Sequence, residues 1–139
     1  MDDDRAYWVL LCSVAGIGPI RFHRLLQACG DARAAWRASD LDLATAGLER
    51  RTIDELKRLR HITTPERALE HLHKLGITPL TLSESGYPEN LKQVADPPPV
   101  LFTRGTILPC DAQSVALVGG ASLKADQFMD IVRLAALAA

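Results

Sequence analysis

Val14-Ala15-Gly16-Ile17-Gly18-Pro19 sets the architecture of the first half of the chain. Apolar residues recur at helical spacing before and after this stretch, which predicts an amphipathic helix on each side. The glycines end the first helix, and a proline suits the first position of the second, where its missing N–H is not needed. Two helices joined by a Gly-apolar-Gly turn form a helix-hairpin-helix.

This hairpin is a candidate phosphate-binding site. Its glycines leave backbone N–H groups free at the start of the second helix, and those groups can hold an anion together with the positive helix end. Arg21 and Arg24 lie on that helix, one and two turns from the hairpin, and can add positive charge. We therefore predict DNA contacts at Gly16, Gly18, Arg21 and Arg24. The alternative is a plain tight turn between packed helices.

Helical spacing continues to about residue 76. We predict that Asp31 caps a third helix, and that Thr52 and Glu55 form a capping box. Thr64-Pro65-Glu66 is predicted to start the last helix of this half. A basic stretch over residues 50–60 is partly neutralised by acidic neighbours, so we interpret it as a solvated helix face, with nucleic-acid contact as the alternative. Its cations are Arg50, Arg51, Lys57, Arg58 and Arg60.

The apolar period changes after residue 76. Residues 77–82 alternate and predict a strand, and residues 100–104 predict a second one. Residues 115–118 are a continuous apolar run, as expected of a parallel strand covered on both faces. Gly119-Gly120 follows, and a helix is predicted from about Lys124 to the end. Such a strand-glycine-helix corner is typical of phosphate binding, so these three residues are further candidates for DNA contact.

The overall composition narrows the function classes. The chain has 139 residues, of which 47% are hydrophobic and 24% are charged, as in an average globular protein. The formal net charge is −1, so any nucleic-acid contact must come from a local patch. Aromatic residues make up 5% of the chain, which is too few for a platform that stacks several bases.

Enzyme, metal and membrane patterns are not found. Cys12, Cys29 and Cys110 are widely spaced and form no C-x-x-C pair, so we expect neither a metal nor a cofactor. The serines lack a G-x-S-x-G setting, and we therefore expect no enzymatic activity. The acidic start Asp2-Asp3-Asp4 is unlike a signal peptide, and the apolar stretches are too short to span a bilayer. A soluble cytoplasmic protein without a membrane partner is predicted.

Four segments, in this order, resemble the DNA processing protein A (DprA/Smf) family. They are Ser85-Gly86-Tyr87-Pro88-Glu89-Asn90-Leu91, Ala95-Asp96-Pro97-Pro98-Pro99-Val100-Leu101-Phe102, Arg104-Gly105 and Val115-Ala116-Leu117-Val118-Gly119. The resemblance implies a sterile-alpha-motif-like (SAM-like) domain followed by a Rossmann-like domain that binds single-stranded DNA. It also implies a role in natural transformation, in which such proteins protect incoming DNA and help to load the recombinase RecA. Family members commonly dimerise, which together with the apolar last helix predicts a homo-oligomer.

The chain departs from the family pattern after Gly119. The family usually has a small residue and then an arginine there, whereas this chain has Gly120 and Ala121. We expect an α/β chain with a SAM-like, helix-hairpin-helix domain over residues 1–76. The beginning of a Rossmann-like DNA-binding domain is expected over residues 77–139, in a truncated or degenerate member of the family. The alternatives are a Rossmann-like nucleotide-binding hydrolase that uses the Gly119-Gly120 corner, and a protein-interaction module.

Overall fold

The computed structural model describes residues 2–113 of the chain. Contacts divide the chain into two units, residues 1–107 and residues 108–139. The first unit begins with helices α1 (Asp2–Ser13), α2 (Pro19–Cys29), α3 (Ala32–Arg37), α4 (Asp40–Thr45), α5 (Arg50–Ile62) and α6 (Pro65–Lys74). It continues with strand β1 (Thr78–Thr81), the short helix α7 (Glu89–Lys92) and strand β2 (Val100–Thr103). The described part of the second unit holds a 3-10 helix, Pro109–Gln113.

The helices predicted within residues 2–113 and the first two predicted strands are confirmed. The predicted strand over residues 115–118 and the helix from Lys124 lie outside the described residues, as do Gly119 and Gly120. The division of the chain into domains at residues 1–76 and 77–139 stays a prediction.

Several helix ends follow local sequence rules. Pro19 is the first residue of α2, and the N–H of Gly30 closes that helix on the carbonyl of Leu26 at 2.8 Å. Asp31 caps α3, because its carboxylate accepts from the N–H of Ala34 at 2.7 Å. Thr64 likewise accepts from the backbone of α6. These three predictions are confirmed.

The predicted capping box at Thr52 is wrong. Helix α5 begins at Arg50, so Thr52 lies inside its first turn and its side chain is buried. The capping box of this domain is instead at the start of α4, where the Ser39 hydroxyl accepts from the N–H of Asp42 at 3.2 Å. The Asp42 carboxylate accepts in return from the N–H of Ser39 at 3.4 Å. Burial of Thr52 by tertiary packing has overridden the local signal.

The core of the first unit is formed around α1. This helix packs against α3 and α6, and α2 packs against α3. Residues 6–11 of α1 are all buried, which is the expected pattern for a helix covered on most sides. The rings of Trp8 and Phe22 join α1 to α2, with their centroids 4.8 Å apart. The largest fully buried side chains are Phe22, Leu11, Leu25, Leu43 and Leu56.

The two strands pair antiparallel, with Thr78 opposite Thr103 and Thr81 opposite Val100. Within the described residues the sheet has only these two strands, so both have an open edge. A proline is tolerated on such an edge, because its missing N–H removes no ladder bond there, and Pro79 lies in β1. Over residues 2–113 the chain is therefore mostly helical with a small antiparallel sheet.

Polar contacts join the sheet to the helices. Arg5 of α1 forms an ion pair with Glu84, which follows β1. The Glu84 carboxylate also accepts from the backbone N–H of Thr81 at 2.7 Å and from its hydroxyl at 2.9 Å. The hydroxyl of the buried Tyr87 donates to the carbonyl of Pro98 at 2.8 Å, which ties the proline-rich segment to the turn before α7. None of the helices within residues 2–113 is long and apolar enough to cross a lipid bilayer.

Candidate nucleic-acid interface

The turn between α1 and α2 is built by local backbone bonds and one apolar anchor. The N–H of Ile17 donates to the carbonyl of Val14 at 3.0 Å. The N–H of Phe22 donates to the carbonyl of Gly18 at 2.9 Å and so begins the bonding ladder of α2. The side chain of Ile17 is buried, whereas Gly16 and Gly18 on either side of it are exposed. The side chain of Ile17 therefore fixes the turn to the core, and the backbone of the two glycines is exposed to solvent.

Gly16 is required at its position for two reasons. Its φ is +96°, a backbone conformation that costs about 1–2 kcal/mol for a residue with a side chain. A Cβ atom placed on Gly16 would also lie 2.6 Å from the Oγ1 atom of Thr52 on α5. The hairpin thus rests directly on the first turn of α5. A Cβ atom on Gly18 would meet no other described residue within 4 Å, so packing does not require a glycine at this position.

The start of α2 is open to an anion. Its first residue is Pro19, which has no N–H, and the N–H groups of Ile20 and Arg21 lie too early in the helix to find an acceptor inside it. Among the described residues no side chain caps these groups, and the first turn has no acidic residue. Helix starts of this kind favour a negative charge by typically about 0.3–1 kcal/mol.

The two predicted arginines have different surroundings. Arg21 is half-buried, donates from Nη1 to the carbonyl of Gly16 at 2.8 Å, and forms an ion pair with Glu49. Arg24 is exposed, and within residues 2–113 it has no hydrogen bond or ion pair. An open concave surface of about 320 Å³ lies between them. It is lined by Gly16, Gly18, Pro19, Ile20, Arg21 and Arg24.

Most cations of the basic stretch over residues 50–60 are engaged with the protein itself. Arg50 pairs with Asp54, Lys57 with Asp40, and Arg58 with Glu55, with N–O distances of 3.2, 2.8 and 2.6 Å. Arg60 donates to the carbonyl of Ala38 at 3.0 Å and lies over the ring of Trp36. The interpretation as a solvated helix face therefore agrees with these contacts.

Arg51 is the exception in that stretch. It is exposed and, across the described part of the chain, it forms no ion pair. It precedes Thr52, the residue on which Gly16 rests, and so lies on the same turn of α5 as the hairpin contact. Sequence patterns did not single out Thr52 or Glu49 as neighbours of the hairpin, because both contacts join residues that are distant along the chain.

A second concave surface, of about 330 Å³, lies among α2, α3 and α4. It is lined by Ala28, Cys29, Ala34, Ala38, Asp42 and Thr45. Burial raises the pKa of the Cys29 thiol, and the carboxylates of Asp42 and Asp31 raise it further. A protonated thiol is a poor nucleophile, so this surface offers less chemistry than the hairpin.

The structure thus brings four of the predicted site residues, Gly16, Gly18, Arg21 and Arg24, around one surface. The other three, Gly119, Gly120 and Lys124, lie outside the described residues.

Two family models match separate stretches of the chain. Residues 2–57 match a family model described as the DprA-like N-terminal HHH domain. Residues 78–135 match the family model of DNA recombination-mediator protein A. The chain is similar to Protein Smf of Synechocystis sp., with 29% identity over 107 residues, which are 76% of this chain and 27% of that relative. The match therefore spans about a quarter of the relative's length. No solved structure matches the chain.

Proposed function

Because this chain belongs to the DprA/Smf family of DNA recombination-mediator proteins, we propose that it acts as the N-terminal part of a single-stranded-DNA-binding protein. Residues 77–139 are proposed to begin its Rossmann-like DNA-binding domain, with Gly119, Gly120 and Lys124 at the DNA. Its proposed role is in natural transformation, where it protects incoming DNA and helps RecA to bind it. We propose that it acts as a homo-oligomer and without enzymatic activity.

The hairpin at the start of α2 is the observation that carries the proposed DNA contact within the described residues. It combines an exposed glycine backbone, an uncapped helix start and the exposed cation Arg24. These are the groups with which proteins hold phosphate oxygens. A formal net charge of −1 gives the whole chain no general attraction for nucleic acid, so contact must come from local surfaces such as this one.

The chemistry of the hairpin predicts recognition of the DNA backbone rather than of bases. Among the residues that the structure describes, the lining of this surface includes no aromatic side chain on which a base could stack. Backbone N–H groups and arginines contact phosphates, which are the same in every sequence. Binding through this surface should therefore be independent of sequence and strongly dependent on salt.

The test is fluorescence anisotropy of a labelled oligothymidine with the 139-residue chain at several salt concentrations. Arg24→Gln should lower the affinity about threefold to tenfold, as expected for one charged contact in a solvated setting. It should also reduce the slope of log K against log salt by about 0.7, the contribution of one phosphate on single-stranded DNA.

Lys74→Gln is the matched control. Lys74 is in the last turn of α6, close to β1, and its only ion pair within residues 2–113 is with Glu70. Glu84, which follows β1, pairs with Arg5 near the end of α1 that is opposite to the hairpin. The control removes a positive charge that does not line the proposed site and should leave the slope unchanged. If Arg24→Gln and Lys74→Gln behave alike, the hairpin does not contact DNA.

The proposed partnership with RecA has its own test. The rate at which RecA forms filaments on oligothymidine that is covered by a single-stranded-DNA-binding protein should increase when this chain is added. Sedimentation at several protein concentrations tests the proposed self-association. A filament rate that stays the same at saturating concentrations of the chain would contradict a loading activity of this part of the protein.

A further inference from the structure

We propose that Arg21 is a positioning residue, which holds the hairpin in the form that accepts phosphate, and that Arg24 is the arginine that contacts the phosphate. The inference rests on the proposed function, since it assigns different roles at the same surface to two arginines. Both lie on α2 and both line the concave surface beside Gly18. Their spacing in the sequence does not distinguish the two arginines, whereas their contacts in the structure differ.

The guanidinium of Arg21 joins two elements of the fold. Its Nη1 donates to the carbonyl of Gly16 in the hairpin at 2.8 Å, and its Nη2 pairs with the carboxylate of Glu49. Glu49 is the residue that precedes α5. A planar guanidinium can serve two acceptors in fixed directions at once, which an ammonium group on a flexible stem does far less well. The contact therefore depends on the shape of the side chain as well as on its charge.

The same turn of α5 supports the hairpin a second time. Thr52 lies against Gly16, so closely that a Cβ atom on Gly16 would come within 2.6 Å of its hydroxyl. Gly16 is thus held from one side by Thr52 and through its carbonyl by Arg21. These two contacts keep the hairpin on α5, and the open N–H groups at the start of α2 follow directly after it.

The ion pair of Arg21 is a second reason to expect that this residue does not contact the phosphate. Its positive charge already faces the Glu49 carboxylate, and its side chain is 35% exposed. A cation that is neutralised within the protein releases few counterions from DNA, so it adds little to the salt dependence of binding. Arg24 is exposed and, among the described residues, has no carboxylate beside it, so it is free to replace a counterion.

Four variants of the whole chain separate the two roles: Arg21→Lys, Arg21→Gln, Arg24→Lys and Arg24→Gln. Anisotropy with oligothymidine at several salt concentrations should show that Arg21→Lys and Arg21→Gln weaken binding alike, by about threefold, with the salt slope of the native chain. Arg24→Gln should lower the slope by about 0.7, and Arg24→Lys should restore it because charge alone is enough for that contact. The inference is overturned if Arg21→Lys binds as the native chain does, or if Arg21→Gln lowers the slope as much as Arg24→Gln.

A measurement without DNA tests the positioning role directly. The amide of Ile17 bonds to the carbonyl of Val14 inside the hairpin. Its hydrogen exchange should become at least about threefold faster in both Arg21 variants, because local opening becomes easier. The amide of Ala35, which bonds to the Asp31 carbonyl in α3, should keep its rate. Unchanged exchange at Ile17 would refute the positioning role. If instead exchange changes but none of the four variants alters DNA binding, the proposed function fails at this hairpin and Arg21 only supports the fold.

Discussion

Helices α1 to α5 (the helical region) share a core of fully buried apolar side chains, whereas the segment from α6 to β2 (the sheet region) joins that core through one buried valine, partly buried apolar side chains and polar contacts. In the first region Phe22, Leu25 and Leu56 are completely buried. In the second, α6 has no fully buried residue, and Phe102 of β2 is half exposed. What is buried there includes Thr81 and Tyr87, each of which makes a side-chain hydrogen bond.

The difference has a physical cause. Apolar packing is non-directional and grows with the area removed from water, so a helix only needs the right spacing of apolar residues to join a core. A buried hydroxyl is stabilising only when a partner lies at the right distance and angle. The helical region should therefore lose stability in proportion to deleted volume, and the sheet region should lose it when single polar atoms are removed.

The largest effect is expected from Phe22→Ala. Phe22 is fully buried and its ring packs on Trp8, so truncation leaves a cavity and should lower the free energy of unfolding by about 3–5 kcal/mol. Phe102→Ala is the matched control in the sheet region and should cost about 1 kcal/mol, the scale of a cross-strand pair. Denaturant unfolding followed by circular dichroism measures both. Equal losses would show that the two regions do not differ as described.

The second largest effect is expected from Gly16→Ala. Both Gly16 and Gly30 have φ near +95°, but of these two only Gly16 has an atom of the described residues within 4 Å of the added Cβ. Gly30→Ala should therefore cost about 1–2 kcal/mol for the backbone alone. Gly16→Ala should cost about 2–4 kcal/mol, because the buried, β-branched Thr52 cannot easily turn its hydroxyl away. In a Thr52→Ala background, Gly16→Ala should lower the free energy of unfolding only as much as Gly30→Ala does. If the losses of the two single variants simply add in the double variant, the contact between Gly16 and Thr52 is contradicted.

A smaller effect is expected from Tyr87→Phe in the sheet region. The lost hydroxyl donates to the Pro98 carbonyl at 2.8 Å, so the free energy of unfolding should fall by about 1–2 kcal/mol while the volume hardly changes. Tyr7→Phe is the control in the helical region. The Tyr7 hydroxyl accepts from Arg37 at 3.4 Å, close to the limit of a hydrogen bond, and its loss should change stability by less than about 0.5 kcal/mol. Thermal unfolding of both variants decides the comparison.

The same contrast explains how much could be predicted from sequence. Helical spacing, Pro19, Gly30 and the Asp31 cap are local signals, and the structure follows them. Thr52 shows where local rules end: its spacing to Glu55 suits a cap, but contact with Gly16 places it inside α5.

In the candidate site, too, contacts between near neighbours could be predicted from sequence and contacts between distant residues could not. Spacing along one helix was enough to place Gly18, Arg21 and Arg24 together. The ion pair of Arg21 with Glu49 joins residues 28 positions apart, and no local pattern indicates it. The Arg5 to Glu84 contact spans 79 positions and was equally invisible in the sequence.

The smallest effect concerns pH and the Glu84 carboxylate that joins the sheet to α1. Burial works to raise the pKa of Glu84, but hydrogen bonds from Thr81 and Arg5 outweigh it and hold the pKa below its ordinary value of 4.5. A carboxyl whose pKa is lower in the folded chain contributes stability above its unfolded pKa and loses it as pH falls through the folded one. Glu84→Gln should therefore lower the free energy of unfolding by no more than about 1 kcal/mol at neutral pH, since the ion pair is partly exposed.

The difference between the native chain and Glu84→Gln should shrink as pH falls below about 4.5, where the unfolded carboxyl takes up a proton, and should end once the folded carboxyl is protonated too. Glu55→Gln is the control in the helical region. The hydrogen bond from Arg58 lowers the pKa of Glu55, but this pair lies within one helix and joins no second element, so its loss should have the smaller effect. Denaturant midpoints of the three proteins at several pH values measure this. A Glu84→Gln difference that stays constant down to about pH 3 would show that the charge of Glu84 does not hold the sheet to α1.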